Sequence, residues 1–174
     1  MTIMENTPYA ETLENHNYSL PGLAYGYEGA DGLKTGSSPS GGFNYAATAK
    51  RGDTRLIEIV LGVGNWEDQT GELQRHAFGN AIFDRAFATY EYKKLLSAGK
   101  QTINQDKLTL EQDFYALIQK NTTPAFTLNA GKLSIDSGLT QVSPTIPAPS
   151  ANYQLSKQEV IKQALTGQSQ NQSW

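Results

Sequence analysis

The sequence predicts an α+β chain, antiparallel strands with a packing helix followed by a small all-β domain. Three observations carry this. Between Tyr25 and Gly64 the apolar and small residues fall into three extended segments split by turn-forming residues. From Gly71 to about Tyr90 apolar residues recur at helical spacing. After Tyr92 short apolar segments alternate with turn signals about every 10 residues, as in small β domains. Residues 1–90 are therefore read as one part, with a boundary near Tyr90 and Glu91. Residues 91–150 are read as a β domain, and 151–174 as a linker, a short amphipathic helix and a disordered tail.

In chain order, residues 1 to 24 are polar and irregular until Leu20, Pro21 and Gly22, which form a turn signal ahead of a new element. An extended stretch runs from Tyr25 through Leu33, and a small polar loop follows from Ser37 to Gly42. A second strand over Phe43–Lys50 puts Phe43, Tyr45 and Ala47 on one face. A third, over Arg55–Gly64, carries the nearly continuous apolar run Leu56, Ile57, Ile59, Val60 and Leu61, the pattern of a central strand. Lys50, Arg51, Gly52 and Asp53 join these two as a hairpin. Asp68 and Thr70 are candidate caps for the helix from Gly71, whose predicted core stripe is Leu73, Ala77, Ala81 and Ile82. Pro144, Pro147 and Pro149 stiffen the linker. Ser156 with Glu159 is a capping box ahead of Val160, Ile161, Ala164 and Leu165, and Gln168 to Trp174 read as disordered.

Composition narrows the function. The chain has 174 residues, with 14 Lys and Arg against 17 Asp and Glu and no Cys. The net charge of -3 argues against a nucleic-acid partner, because such binders present a basic face that releases phosphate counterions. Without Cys there is no disulfide, thiolate nucleophile or Cys-ligated metal. His16 and His76 have no partner at metal-ligand spacing, so both read as structural and no metal or cofactor is expected. Gly62 and Gly64 follow a strand, but Glu67 occupies the third glycine position of a dinucleotide fingerprint and no βαβ unit follows. The first twenty residues hold Glu5, Glu11 and Glu14, no Lys or Arg and no apolar run, which excludes a signal peptide. No segment reaches the ~20 apolar residues that span a bilayer.

The informative stretch is Asp31-Gly32-Leu33-Lys34-Thr35-Gly36-Ser37-Ser38, a Lys-Thr-Gly tripeptide on a predicted strand that leads through a small-residue loop into two more strands and a helix. That setting, with Asn15–Asn17, Leu20–Gly22, Thr48–Gly52, Gly62–Gly64, the run Gly71–Gly79, Tyr92–Gly99 and Ile103–Tyr115, resembles the C-terminal half of the low-molecular-weight penicillin-binding proteins. These are serine D-alanyl-D-alanine carboxypeptidases, and the likeness, over about residues 15–120, is to the staphylococcal penicillin-binding protein 4 type. It implies that residues 1–90 are the C-terminal part of a β-lactamase/transpeptidase-like domain.

The resemblance also implies roles. Cleaving a D-Ala-D-Ala bond through an acyl-serine needs a nucleophile, an amine to manage its proton, a clamp on the terminal carboxylate and donors for the oxyanion. Lys34 would support proton transfer and hold the carboxylate, and Ser37 would offer its backbone N–H to the oxyanion. Thr35 would give the carboxylate a hydroxyl donor. Gly36, with no side chain, would let peptide or penicillin lie against the strand edge, with Ser38 also in contact with substrate. The implied partners are peptidoglycan stem peptides ending in D-Ala-D-Ala and β-lactams, and the implied location is extracytoplasmic, at the cell envelope. Membrane association would come only through a segment absent here.

The family's other motifs, Ser-x-x-Lys and Ser-x-Asn, precede the Lys-Thr-Gly strand, and nothing before Lys34 supplies them. Ser97 with Lys100 and Ser150 with Asn152 match these patterns, yet the order is reversed, Gly99 interrupts the first pair and Ser150 falls in the predicted linker. Both are read as decoys, so the chain by itself is expected to be inactive. Two alternatives stand beside the enzyme reading, a non-catalytic envelope docking module and a complementing half of a split enzyme.

Overall fold

The computed structural model describes residues 2–3, 6–12, 15–139 and 145–166. The expectation of disorder over Gln168–Trp174 and the predicted linker's Pro144 lie outside them. The chain divides into two compact units, residues 1–88 and 89–174.

In the first unit, a two-residue bridge pairs β1 (Thr2–Ile3) with β2 (Glu11–Thr12). A three-stranded antiparallel sheet follows, built from β3 (Ala30–Ser38), β4 (Gly42–Arg51) and β5 (Thr54–Val63) in the order β3-β4-β5. Both joins are tight hairpins. Gly52 sits at φ +58° between Arg51 and Thr54, a conformation that costs glycine little. Each hairpin returns on β4, so among the described residues β4 is paired on both sides and β5 on one. Ile57, Ile59 and Leu61 lie on an exposed face of β5, while Leu56 and Val60 pack on a core of Tyr27, Ala30, Tyr45, Ala47, Ala49, Phe83 and Phe87.

The Leu20-Pro21-Gly22-Leu23 turn forms as its residue types require. Leu23 N–H donates to Leu20 O at 3.1 Å, with proline at the second position and Gly22 at φ +86° at the third. The helix α1 (Gly71–Thr89) begins where Asp68 accepts from Thr70 N–H at 2.9 Å and from the Thr70 hydroxyl at 2.7 Å. Its buried stripe is Gly71, Arg75, Gly79, Phe83 and Phe87, with His76 beside it. The predicted stripe of Leu73, Ala77, Ala81 and Ile82 is exposed. The reason is close approach: a Cβ at Gly71 would lie 2.3 Å from Val63 O, and one at Gly79 would lie 2.2 Å from Glu58 Oε1 and 2.7 Å from a Tyr45 ring carbon. Gly71 and Gly79 let the helix axis settle on the sheet, Phe83 and Phe87 follow on the same stripe, and Leu73 and Ile82 fall on the far side.

The second unit is mainly β. Strands β6 (Tyr90–Leu96) and β9 (Phe114–Gln119) pair antiparallel. A five-stranded sheet has the order β10-β11-β12-β8-β7, made of β7 (Gly99–Ile103), β8 (Asp106–Leu110), β10 (Ala125–Asn129), β11 (Lys132–Asp136) and β12 (Ser150–Leu155). Its core is Ile103, Leu108, Leu110, Phe114, Leu133 and Ala151. The linker predicted from residue 151 is corrected here: Ser150–Leu155 is the middle strand of this sheet, hydrogen-bonded to β11 on one side and β8 on the other. Two ladders and the buried Ala151 override a polar sequence that shows little strand character alone.

The helix α2 (Lys157–Leu165) is capped as predicted, Glu159 N–H donating to Ser156 Oγ at 3.3 Å. Its inward residue is Glu159, however, while Val160, Ile161 and Leu165 are exposed. Ser97 and Lys100 flank a turn between strands, with no helix to carry a nucleophile.

Candidate active site

The five residues predicted to form the site lie together on β3, an edge strand whose outer side pairs with no strand among the described residues. Register with β4 sets their faces. Thr35 pairs with Tyr45 and Ser37 with Phe43, so these two face α1, whereas Lys34 pairs with Ala46 and Gly36 with Asn44, placing Lys34, Gly36 and Ser38 on the opposite face. Lys34, Gly36 and Ser37 are exposed, and Thr35 is 7% exposed. The Lys34 ammonium donates to the Thr35 carbonyl at 2.6 Å. Gly36 has no atom within 4 Å of the place a Cβ would occupy, so its backbone is approachable from outside.

Arg75 of α1, which the sequence reading passed over, is the helix residue that holds this strand. It is 1% exposed, and its Nη1 donates to Asn44 O at 3.2 Å, Gly36 O at 3.4 Å and Ser37 Oγ at 3.5 Å. Its Nη2 pairs with Glu72. One guanidinium thus ties the Lys-Thr-Gly strand, its neighbour and the helix together. The signal for it was present: Arg75 shares the every-fourth-residue stripe with Gly71 and Gly79, the two glycines that bring helix and sheet into contact.

Beneath the sheet lies a polar core of Asn17, Ser19, Glu58 and His76, all buried. His76 Nδ1 is 3.0 Å from Ser19 Oγ, and its ring sits among Tyr18, Tyr25 and Tyr45, with the Tyr45 centroid at 4.7 Å. Asn80 closes the group by donating to Tyr25 O at 2.9 Å. Burial pushes the Glu58 carboxyl up to about 7, and both its oxygens lack a hydrogen-bond partner. Burial, then the charge of Arg75, pushes His76 down to about 4. No group of three or more His, Cys, Asp and Glu able to hold a metal occurs among the described residues.

These two shifts oppose each other in pH. Glu58 binds its proton more tightly when folded, so its contribution to stability is full below 4.5 and is lost as pH rises to about 7. His76 binds its proton less tightly when folded, so its contribution is present above 6.5 and is lost as pH falls to about 4. Each spans on the order of 3 kcal/mol, and over the shared window the slopes largely cancel. The wild-type urea midpoint should be nearly flat from 4.5 to 6.5. Glu58→Gln should make it rise with pH there, and His76→Gln should make it fall; parallel curves for all three proteins would disprove the coupling.

Comparison with known proteins follows these elements. Residues 92–154 match a family described as a domain of unknown function, DUF1958. Over 99 residues, 54% of this chain, the sequence is 33% identical to the D-alanyl-D-alanine carboxypeptidase DacD of Salmonella typhimurium, a quarter of whose length is covered. A peptidoglycan synthesis regulatory factor (PBP3) from Streptococcus pneumoniae has a similar fold, with a TM-score of 0.60 and 20% identity over 87% of this chain and 47% of that one. Penicillin-binding protein 5 of Haemophilus influenzae aligns at 22% identity with a TM-score of 0.47, over 74% of this chain and 42% of that one. The chain thus spans half or less of each of these proteins.

Proposed function

We propose, on the premise that this chain is a relative of the D-alanyl-D-alanine carboxypeptidases of the low-molecular-weight penicillin-binding protein family, that its first unit supplies the substrate-binding strand of a serine peptidase acting on peptidoglycan stem peptides. The observation that carries this is the Lys34-Thr35-Gly36 tripeptide on the open edge of β3. A peptide ending in D-Ala-D-Ala, or a β-lactam that imitates it, adds to that edge as a further strand. The Lys34 ammonium, on the exposed face, holds the terminal carboxylate and handles the proton of the attacking serine. The Ser37 N–H donates to the developing oxyanion, where a fixed donor lowers the barrier more than it stabilises the ground state.

Thr35 faces the helix side, so its hydroxyl meets the carboxylate only where the strand edge opens beside it, and Arg75 keeps that edge in register. Ser38 lines the far end of the strand. The attacking serine forms an ester as the D-Ala-D-Ala amide bond breaks, the departing D-Ala nitrogen takes up the proton, and water then hydrolyses the ester to release the trimmed peptide and the free serine. The setting is the extracytoplasmic face of the cell envelope; among the described residues no helix is long and apolar enough to cross a membrane.

The test is acylation by a fluorescent penicillin, read by intact mass. The chain alone should give no covalent adduct, since Ser97 and Ser150 are not placed to attack. Joined to a penicillin-binding protein segment that carries Ser-x-x-Lys and Ser-x-Asn, it should restore a stoichiometric adduct on that segment. Absence of labelling in a folded joined protein, or an adduct on Ser97 or Ser150, would overturn the reading.

A further inference from the structure

The second unit carries a pocket lined by its own residues. On β7 and β8, Lys100 pairs with Thr109 and Thr102 with Lys107, and all four side chains lie on the exposed face of the hairpin. Directly opposed side chains on one face of a ladder are ~5 Å apart at Cβ, so the two lysines stand diagonally across a small grid with a threonine beside each. Ser156, Lys157 and Gln158 at the start of α2 form a wall along it, fixed because Ser156 N–H donates to Lys107 O at 2.9 Å. The result is a hollow of about 490 Å³ that includes all three lysines. That volume lies within the range of small-molecule sites.

The lining is selective in its chemistry. Lys100, Lys107 and Lys157 converge with no Asp or Glu among the lining residues, and none of the three forms an ion pair among the described residues. Three like charges gathered without a counter-charge repel one another, and an anion with several oxygens relieves that cost. The pocket has no Arg, so it lacks the planar fork that matches a carboxylate, whereas ammonium groups serve as point charges for phosphate. It also lacks an aromatic ring on which a base could stack. What surrounds the lysines are the hydroxyls of Thr102, Thr109 and Ser156 and the amides of Gln101 and Gln158, groups that donate to and accept from hydroxyls.

We propose that this pocket binds a ligand carrying phosphate on a hydroxylated carbon frame. A small phosphate ester and a phosphodiester segment of a polymer share that chemistry. The ¹⁵N-labelled full chain is titrated with glycerol 3-phosphate, as monoester, and with dimethyl phosphate, as diester, with glutarate as a carboxylate control. Saturable shifts at Lys100, Lys107, Thr109 and Lys157 with either phosphate support the site, and the one that binds tells the two sources apart. Lys100→Gln, Lys107→Gln and Lys157→Gln should each weaken binding ~threefold or more, an effect that added salt reduces. All three positions are exposed, so the variants should keep the wild-type spectrum elsewhere. No saturable shift at millimolar phosphate ester, equal binding of glutarate, or unchanged affinity in the variants would overturn the proposal.

Discussion

Replacing Lys34 with Ala in the joined protein should slow penicillin acylation by about a hundredfold or more, the size of loss that follows removal of a charge acting on developing charge in a transition state. Peptide hydrolysis should slow with it, because both substrates present a carboxylate to the same ammonium. Stability should change by no more than ~0.5 kcal/mol, since Lys34 is exposed and its contact is with the adjacent carbonyl of Thr35. Lys34→Arg keeps the charge but moves it outward on a planar group, so it should recover only part of the rate. Wild-type acylation kinetics for Lys34→Ala would remove the tripeptide from the mechanism and leave it an ordinary strand end.

Arg75→Ala should lower stability by ~3 kcal/mol, measured as the shift in urea midpoint, because it strands groups that were satisfied inside the unit. Asn44 O and Gly36 O lose their guanidinium donor, and Glu72 loses its partner. Glu72 keeps some access to water, which holds the loss to the lower part of the range for breaking a buried pair. Arg75→Met, which restores the apolar stem over Phe43 without the donors, should recover only the packing share. In the joined protein both variants should also slow acylation at pH values where they remain folded, and should raise hydrogen exchange at Gly36 and Ser37. An Arg75→Ala chain with wild-type midpoint and wild-type exchange on β3 would show that the helix does not position the strand.

Much of the candidate site was legible beforehand because its signals are local. Lys34, Thr35 and Gly36 are contiguous, and a run of small residues ending a strand announces itself in one dimension. The Leu20–Leu23 turn, the Gly52 hairpin and the Ser156 cap were equally readable, since each is decided by the φ preference or hydrogen-bonding reach of two to four neighbouring residues. The alternation of β4 was strong enough to place Phe43, Tyr45 and Ala47 together in the core.

What the sequence by itself determined about this chain is therefore its class of elements, their order, and the residues that make β3 a substrate-binding candidate. The tertiary structure alone decided which side of each element faces inward. For α1 apolar residues occur on two faces, Leu73 and Ile82 on one and Phe83 and Phe87 with the glycines on the other, and closeness of approach to Val63 and Glu58 decided for the glycine face, carrying Arg75 inward to β3. For β5 the apolar run did not say which residues face the core, and packing partly buries Leu56 and Val60 against it while Ile57, Ile59 and Leu61 are exposed. For β12 the sequence looked like linker, and ladders to β8 and β11, distant in the chain, made it the middle of a sheet. In each case the deciding energy comes from contacts between residues far apart in sequence, a quantity that no window of neighbouring residues contains.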